Sequence, residues 1–383
     1  MRLEPSETER ELALAVRAWA EGLGGRIARG EREGTLPLDV VRELGTLGVL
    51  GMTIPERDGG LGLSTVAFAL VLEELAAAWP SLAVGVSVNS GIVAGSIVRD
   101  GTDQQRAKWL PRLVDGSGLG AFALTEPSAG SDAASLKAIA MRDGDGWRLN
   151  GRKQFITSAR YAPFFIVFAR VSPPEPARPH AGVTAFIVPA ETMGLTIGET
   201  ESKMGLRASD TSGIMLEDAW VGPGAVLGDV GKGFALALAG LDGGRIGIAA
   251  QSIGIARAAL ERAIAYGRAR SQFGRSILEF EGIRLAIAQA RAEIDAARLL
   301  AHRASRLRDL GEPFTREASM AKLYASEMTQ RVTYSALQLF GGYGYMSEYD
   351  IERYARDARA TPLYEGTSEI QRMVIARSLV TAA

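Results

Sequence analysis

The 383-residue chain predicts a mostly helical α+β protein in three blocks: an N-terminal helical domain (1–117), a middle antiparallel β-domain of barrel or sandwich type (118–226) and a C-terminal four-helix bundle (227–383). Three observations predict it. Helix-start signals crowd the first block. Short β-branched and aromatic runs broken by Gly, Pro and Asp fill the second. An apolar period of three and four residues returns and holds in the third. The length suits two or three domains, each burying its own core.

In the first block Ser6 with Glu9 forms a capping-box pattern, Ser64 precedes the run TVAFALVLEELAAAW, and Asp103 opens QQRAKWLPRL. The longest uncharged run, Leu75 to Val98, reaches membrane-spanning length. Pro80 interrupts it, and Ser81, Ser87, Asn89, Ser90 and Ser96 lie within it, so it reads as the end of one buried helix and the start of another. The opening stretch MRLEPSETERELALAV is charged in its first turns and lacks the apolar core and cleavage site of a signal peptide; it is expected to stay in the mature protein.

The second block contains WRLNG, FFIVFARV, VTAFIV and GIMLEDAWV. Asn150-Gly151, between WRL and RKQFIT, predicts a two-residue hairpin turn, because a type I′ turn needs positive φ at both positions. PPEPARP after Ser172 is a Pro-rich loop. In the third block Ile283, Ile287, Ala290, Ile294, Ala297 and Ala301 lay one apolar seam down a long helix, the pattern of an antiparallel bundle. No internal repeat or low-complexity tract interrupts this order.

Composition narrows the chemistry. A net charge of -1 with 23% charged residues provides no single-signed field for nucleic acid or an anionic membrane, which leaves small-molecule chemistry. No cysteine is present, so disulfides, thiolate nucleophiles, Fe–S clusters and Cys-ligated zinc are excluded, and a cytoplasmic location is permitted and expected. Two histidines, His180 in the Pro-rich loop and His302 in a charged helical stretch, give a triad or a metal site almost nothing to work with. No metal is expected, and acid–base work falls to carboxylates.

Four segments stand out. FALTEPSAGSD, Phe122 to Asp132, could bring backbone N–H groups close to a flat polar ligand or a phosphate, or be a polar loop leading into the β-domain. KQFITSA, Lys153 to Ala159, could set a ring and a hydroxyl against a ligand, or be ordinary strand. RSQFG, Arg270 to Gly274, with QLFGGYGY, Gln338 to Tyr345, could grip a pyrophosphate, or supply a capping glycine after each helix. In YEGTSEIQR, Tyr364 to Arg372, Thr367 or Ser368 can cap a helix. Glu365 just outside it is either a solvated loop carboxylate or a general base on a rigid turn.

Taken in order, ALTEPSAGSD, KMGLRASDT, LDGGRIGIAAQSIGIA, RSQFG, LQLFGGYGY and RDARATPLYEGTSEIQR resemble the signatures of the acyl-CoA dehydrogenase family over nearly the whole chain, the C-terminal half being most similar to the short-chain, butyryl-type branch. The resemblance implies that fold of three domains and an FAD cofactor. It implies that Phe122, Leu124, Thr125, Gly130 and Ser131 lie along the flavin, with Ser131 also near CoA. Phe155, Ile156 and Thr157 would stand against the isoalloxazine, the Thr157 hydroxyl toward N5. Arg270, Gln272, Phe273, Gln338, Gly341 and Gly342 would grip the FAD pyrophosphate and adenosine, partly across a subunit interface, and Thr367 and Glu369 would complete that cradle.

By the same resemblance Glu365 matches the catalytic base, while Asp242, Arg245 and Gly366 match the substrate-binding positions. Glu365 would take the α-proton of an acyl thioester and flavin N5 the β-hydride, the thioester carbonyl being held by the Glu365 N–H and a ribityl hydroxyl. The product would be a trans-2-enoyl-CoA, electrons would leave through an electron-transfer flavoprotein, and the assembly would be a homotetramer. A same-fold oxidase using O₂ is the nearest rival, and a non-catalytic acyl-thioester binder is the alternative from another class. Phe155 stands where the family often has tryptophan, Glu281 where it has glutamine, and Gly244 where the isovaleryl-type branch carries the base. Pocket depth would be set around Val84 to Val93 and Leu241, residues that do not rank one acyl chain length against another; a short to medium chain is expected.

Overall fold

The computed structural model describes residues 5–380; residues 1–4 of the opening stretch lie outside them. Helix α1 (Glu7–Glu21) begins as its sequence requires: the Ser6 hydroxyl accepts the Glu9 N–H and the Glu9 carboxylate accepts the Ser6 N–H. After α2 (Gly24–Glu33) and α3 (Leu38–Thr46), α4 (Thr65–Ala78) is capped by Ser64, whose Oγ accepts the Ala67 N–H at 3.0 Å. Trp79 is extended, and Pro80 opens the next helix at a position where its missing N–H costs nothing.

That helix is a composite of α5 (Pro80–Val86), a π segment (Ser87–Ala94) and α6 (Gly95–Asp100) running without a break. The polar residues of the uncharged run tie it down. Asn89 accepts the Gly120 N–H (2.8 Å) and donates to Leu113 O (3.2 Å), and Ser90 donates to Leu50 O (2.8 Å). In α7 (Asp103–Trp109) the cap is Thr102, paired with Gln105 in a capping box, and Asp103 is the first helical residue. The short α8 (Pro111–Val114) leads to the sheet.

The sheet comprises β1 (Ala121–Ala123), β2 (Ile139–Asp143), β3 (Gly146–Thr157), β4 (Phe164–Arg170), β5 (Val183–Pro189), β6 (Leu195–Thr200), β7 (Thr211–Val221) and β8 (Val226–Leu227), in the order β6-β7-β3-β2-β4-β5-β8, with β1 on β4. Pairing is antiparallel except that β1 runs parallel to β4 and Ile139 of β2 meets Arg170 of β4 in parallel. Every residue of β4 is buried. Phe164, Ile166 and Phe168 face the helices, while Phe165 and Val167 face Trp147 and Phe186 inside the sheet.

The expected hairpin at Asn150-Gly151 is not there. Those residues lie inside β3, and the turn is Gly144-Asp145, where Asp143 pairs with Gly146 and Gly144 has φ 63°. The register between β3 and β7 slips opposite Asn150, leaving Asp218 extra at φ 49°. The Asn150 side chain holds this bulge by accepting the Asp218 N–H (2.9 Å) and donating to its carboxylate (3.0 Å). Gly151 serves close approach, since a Cβ there would stand 2.6 Å from that of Ala138.

The C-terminal part is α9 (Gly233–Ala269), a small hairpin of β9 (Ser271–Gln272) and β10 (Arg275–Ser276), α10 (Glu281–Asp309), α11 (Thr315–Phe340), α12 (Ile351–Ala358) and α13 (Ser368–Val380). The seam on α10 faces inward as expected: Ala290, Ile294, Ala297 and Ala301 are buried, and Ile283 and Ile287 half-buried. Helix α4 packs into the same core. Its buried Glu73 bonds Arg257 of α9 and Arg298 of α10, both at 2.9 Å, and His302 is buried near it. The Pro80–Asp100 helix and α9 are long and apolar enough to cross a membrane, but 89% and 67% of those windows are buried inside the protein, as in core helices.

Candidate active site

Between α12 and α13 the chain makes a tight turn in which Glu365 (φ 52°) and Gly366 (φ 88°) are both left-handed. For glutamate this costs on the order of 1–3 kcal/mol, so the surroundings must enforce it. Gln371 of α13 donates to Glu365 O (3.1 Å) and Gly366 O (2.9 Å), Lys322 of α11 donates to Gly366 O (2.7 Å), and the Ser368 N–H reaches Pro362 O (3.0 Å). The Tyr364 hydroxyl donates to Gln251 of α9 at 2.6 Å. A Cβ at 366 would stand 2.7 Å from the Gln371 amide nitrogen, which explains the glycine. Thr367 then caps α13, its Oγ1 accepting the Ile370 N–H at 3.4 Å.

The Glu365 residue is partly exposed, yet both carboxylate oxygens are buried and have no hydrogen-bond partner. The carboxylate rests on α9 at Gly244, where any Cβ would overlap it; the same Cβ would meet Ile92 at 2.8 Å. Burial pushes the Glu365 carboxyl up to about 7 against the opposing charges of Lys322 and Arg245. Arg245 donates to Asp242 (2.5 Å) and Ser319 (3.1 Å), while its Nε is buried without a partner. Burial also raises Asp242, with Arg245 and the Thr315 hydroxyl pulling it back.

The wall opposite is the composite helix. Glycines 240, 243, 244 and 247 of α9 let it come close: a Cβ at 240 would meet Ser96 Oγ at 3.3 Å and Ile92 at 3.4 Å, and one at 243 would meet Gly91 O at 3.3 Å. Ser87 Oγ lies against Gly247 and, like Ser96 Oγ, is buried without a partner.

The two segments singled out in the β-domain are neighbours. The Gln154 N–H donates to Thr125 O (2.9 Å), and buried Lys153 reaches Glu126 (2.7 Å) and Leu124 O (3.2 Å). Leu124 is buried, Thr125 half-buried, and Gly130 and Ser131 exposed. The Phe122 ring packs on Phe168, centroids 4.8 Å apart, and against α9 at Gly240. Phe155 is left-handed (φ 58°) at a second bulge and 63% exposed; Ile156 beside it is buried, and Thr157 is half-buried opposite Thr211.

Arg270, Gln272, Gly341 and Gly342 come together around a groove of about 390 Å³, with Tyr266 and Tyr343 in its walls; the Arg270 guanidinium lies 5.5 Å from the Tyr343 ring centre. Added Cβ atoms at 341 and 342 would meet nothing within 4 Å. Phe273 (φ 51°) is 94% exposed, Gln338 is exposed on the last turn of α11, and Glu369 is exposed beside Arg372 at 3.7 Å. No residue of the Glu365 turn or of the β-domain segments lines this groove, so the singled-out residues do not meet in one place on a single chain. A groove of about 580 Å³ between Leu136, Ile139, Arg170 and Pro179 shares residues with neither.

Three domain families match in succession: acyl-CoA dehydrogenase N-terminal domain over residues 6–117, middle domain over 121–219 and C-terminal domain over 231–380. The short-chain specific acyl-CoA dehydrogenase of Mus musculus mitochondria is 42% identical over 379 residues, covering 99% of this chain and 91% of that one. The chain belongs to the acyl-CoA dehydrogenase family. Its fold is that family's, and it is an oxidoreductase. Among solved structures, butyryl-CoA dehydrogenase from Megasphaera elsdenii superposes with a TM-score of 0.96 at 38% identity, covering 99% of this chain and all of that one. A glutaryl-CoA dehydrogenase from Mycobacterium smegmatis in complex with FADH2 superposes at 0.92 and 32% identity, covering 98% and 95%.

Within this acyl-CoA dehydrogenase, sequence reasoning missed the groups that build the turn: Lys322, Gln371, Gln251 and the Tyr364 hydroxyl. Lys322 carried one signal, a lone lysine among the apolar residues of ASMAKLYAS, where an unpaired charge is out of place.

Proposed function

We propose that this chain removes the α-proton of a fatty acyl-CoA thioester with Glu365 while bound FAD accepts the β-hydride, giving a trans-2-enoyl-CoA. The observation that carries the reading is the Glu365 carboxylate: buried, without a hydrogen-bond partner, and raised to about 7, where a base is balanced between holding and taking a proton. No group among the described residues accepts the Glu365 N–H, which leaves that donor to a thioester carbonyl, where enolate charge would develop. The composite helix and the glycine face of α9 close over the carboxylate, whose oxygens are both buried.

The residues present suit FAD. A diphosphate is matched by the Arg270 guanidinium beside unobstructed backbone at Gly341 and Gly342, and a flat ring by exposed Phe155 next to the Thr125–Ser131 loop. Because these surfaces are separate on one chain, and because Phe273 and Tyr345 are 94% and 83% exposed, the proposed assembly is a homotetramer whose subunits share the cofactor. An electron-transfer flavoprotein is the proposed acceptor, supported by relatives named as dehydrogenases, and the cytoplasm is the proposed compartment.

The test is an anaerobic titration of the yellow protein with butyryl-, isovaleryl-, octanoyl- and palmitoyl-CoA, following visible flavin absorbance. Bleaching by butyryl-CoA at the lowest concentration is expected. A protein that no thioester bleaches would overturn the reading, and rapid recolouring in air would favour the oxidase.

A further inference from the structure

Lys322 lies on α11 with its side chain fully buried, yet its ammonium, which has three N–H groups, makes one hydrogen bond, to Gly366 O at 2.7 Å. A buried charge so sparsely bonded needs a counter-charge. The charged groups facing it are Glu365 of the turn, Glu369 of α13, Glu327 of its own helix and, opposing it, Arg245 of α9. Facing the Glu365 carboxylate are Lys322, Arg245 and the Tyr364 phenol. Of these, Arg245 already has Asp242 at 2.5 Å. The carboxylate with no hydrogen bond and the ammonium with a single one are therefore each other's main electrostatic partner, and they are joined through the backbone of one residue, Gly366.

We propose that Lys322 is the positioning residue of this site: it fixes the left-handed Glu365 turn through the Gly366 carbonyl, and its ammonium is the counter-charge that allows the Glu365 carboxylate to exist unbonded. The inference rests on the reading of Glu365 as the base. Burial lowers Lys322 to about 8, so the counter-charge is present at neutral pH and fades above it. A hydrogen bond from Lys322 straight to the carboxylate would quench the base. Bonding to the neighbouring carbonyl keeps the charge near while leaving the carboxylate oxygens free for a substrate proton.

Charge and anchoring separate in two variants of the FAD-loaded protein. Lys322→Gln keeps a donor and removes the charge; Lys322→Arg keeps the charge. The readout is the infrared carbonyl band of the protonated Glu365 carboxyl as a function of pH, assigned by its loss in Glu365→Gln, together with the pH profile of substrate bleaching. In Lys322→Gln the midpoint should rise by about one unit, the rate below it should fall roughly tenfold and recover above it, and KM should hardly move. Lys322→Arg should keep the wild-type midpoint. An unmoved midpoint in Lys322→Gln with flavin retained would overturn the proposal, and so would an equal rise in both variants; if Lys322→Gln fails to fold, Lys322→Met is read in the same way. Because the band reports the carboxyl itself, a shifted midpoint in a protein that stays active as Glu365→Gln would support the Lys322 coupling and remove only the base assignment.

Discussion

The carboxylates of Glu126 and Glu365 are each buried beside a buried lysine, and they are treated in opposite ways. In the β-domain Glu126 accepts three hydrogen bonds, from Lys153 Nζ (2.7 Å), the Lys137 N–H (2.6 Å) and the Ala138 N–H (2.9 Å), and Lys153 also reaches Leu124 O. At the C-terminal turn Glu365 accepts none, and its lysine, Lys322, bonds the adjacent carbonyl instead. Burial holds both lysines at about 8. The same two residue types therefore make a brace where the donors converge on the carboxylate, and leave a carboxylate unbonded where they are directed past it.

The largest effect that would test this contrast is on the unbonded member. Glu365→Gln should lower the rate of anaerobic bleaching by roughly 10²–10⁴-fold while FAD stays bound; bleaching near the wild-type rate would move the base elsewhere. On the braced member the effect should fall on stability. Glu126→Gln leaves Lys153 buried without its counter-ion and should cost about 3–5 kcal/mol in urea unfolding, and a loss under about 1 kcal/mol would mean the brace is not one. Next in size, Gly244→Ala puts a Cβ where the Glu365 carboxylate lies. It should slow bleaching about 10²-fold by displacing that carboxylate, with FAD content unchanged.

The smallest effect is on stability at the unbonded carboxylate. Its value rises from the usual 4.5 to about 7, so the native state binds a proton that the unfolded chain has released. Stability should therefore fall as pH rises from about 4.5 to about 7 and stay reduced above that. Glu365→Gln should then be more stable than wild type at pH 8, on the order of 1–3 kcal/mol, and no different at pH 4. Equal melting temperatures at both pH values would show that the carboxylate is not desolvated.

The features legible in the sequence are those decided within a few residues. Ser6 with Glu9, Ser64 and the α10 seam each act over one or two helical turns, and each forms as read. Thr102 was displaced by Asp103 because two good capping residues stand side by side and only the backbone decides between them. Asn150-Gly151 misleads for a similar reason. An asparagine that bonds a bulge and a glycine that admits Ala138 look locally like a turn, while the real turn lay six residues earlier in GDG. The parallel contacts of β4 depend on the fold of the whole sheet and leave no periodic trace. At the site, the segment itself offers Glu365 as a solvated carboxylate or a base, and only resemblance to a family favours the base. Its burial by Gly244 and its setting by Lys322 and Gln371 come from helices distant in the chain, and no local pattern encodes them.

The π segment at Ser87–Ala94 turns the wall beside the Glu365 carboxylate into a matter of counting. A π turn holds one more residue than an α turn, so deleting a single residue there would let the segment tighten to α while the residues after it keep their faces. Ser96 would then stay on the glycine face of α9. A lost residue is thus absorbed within the π segment, whereas one lost from the α-helical turns before it would rotate this wall by about 100°.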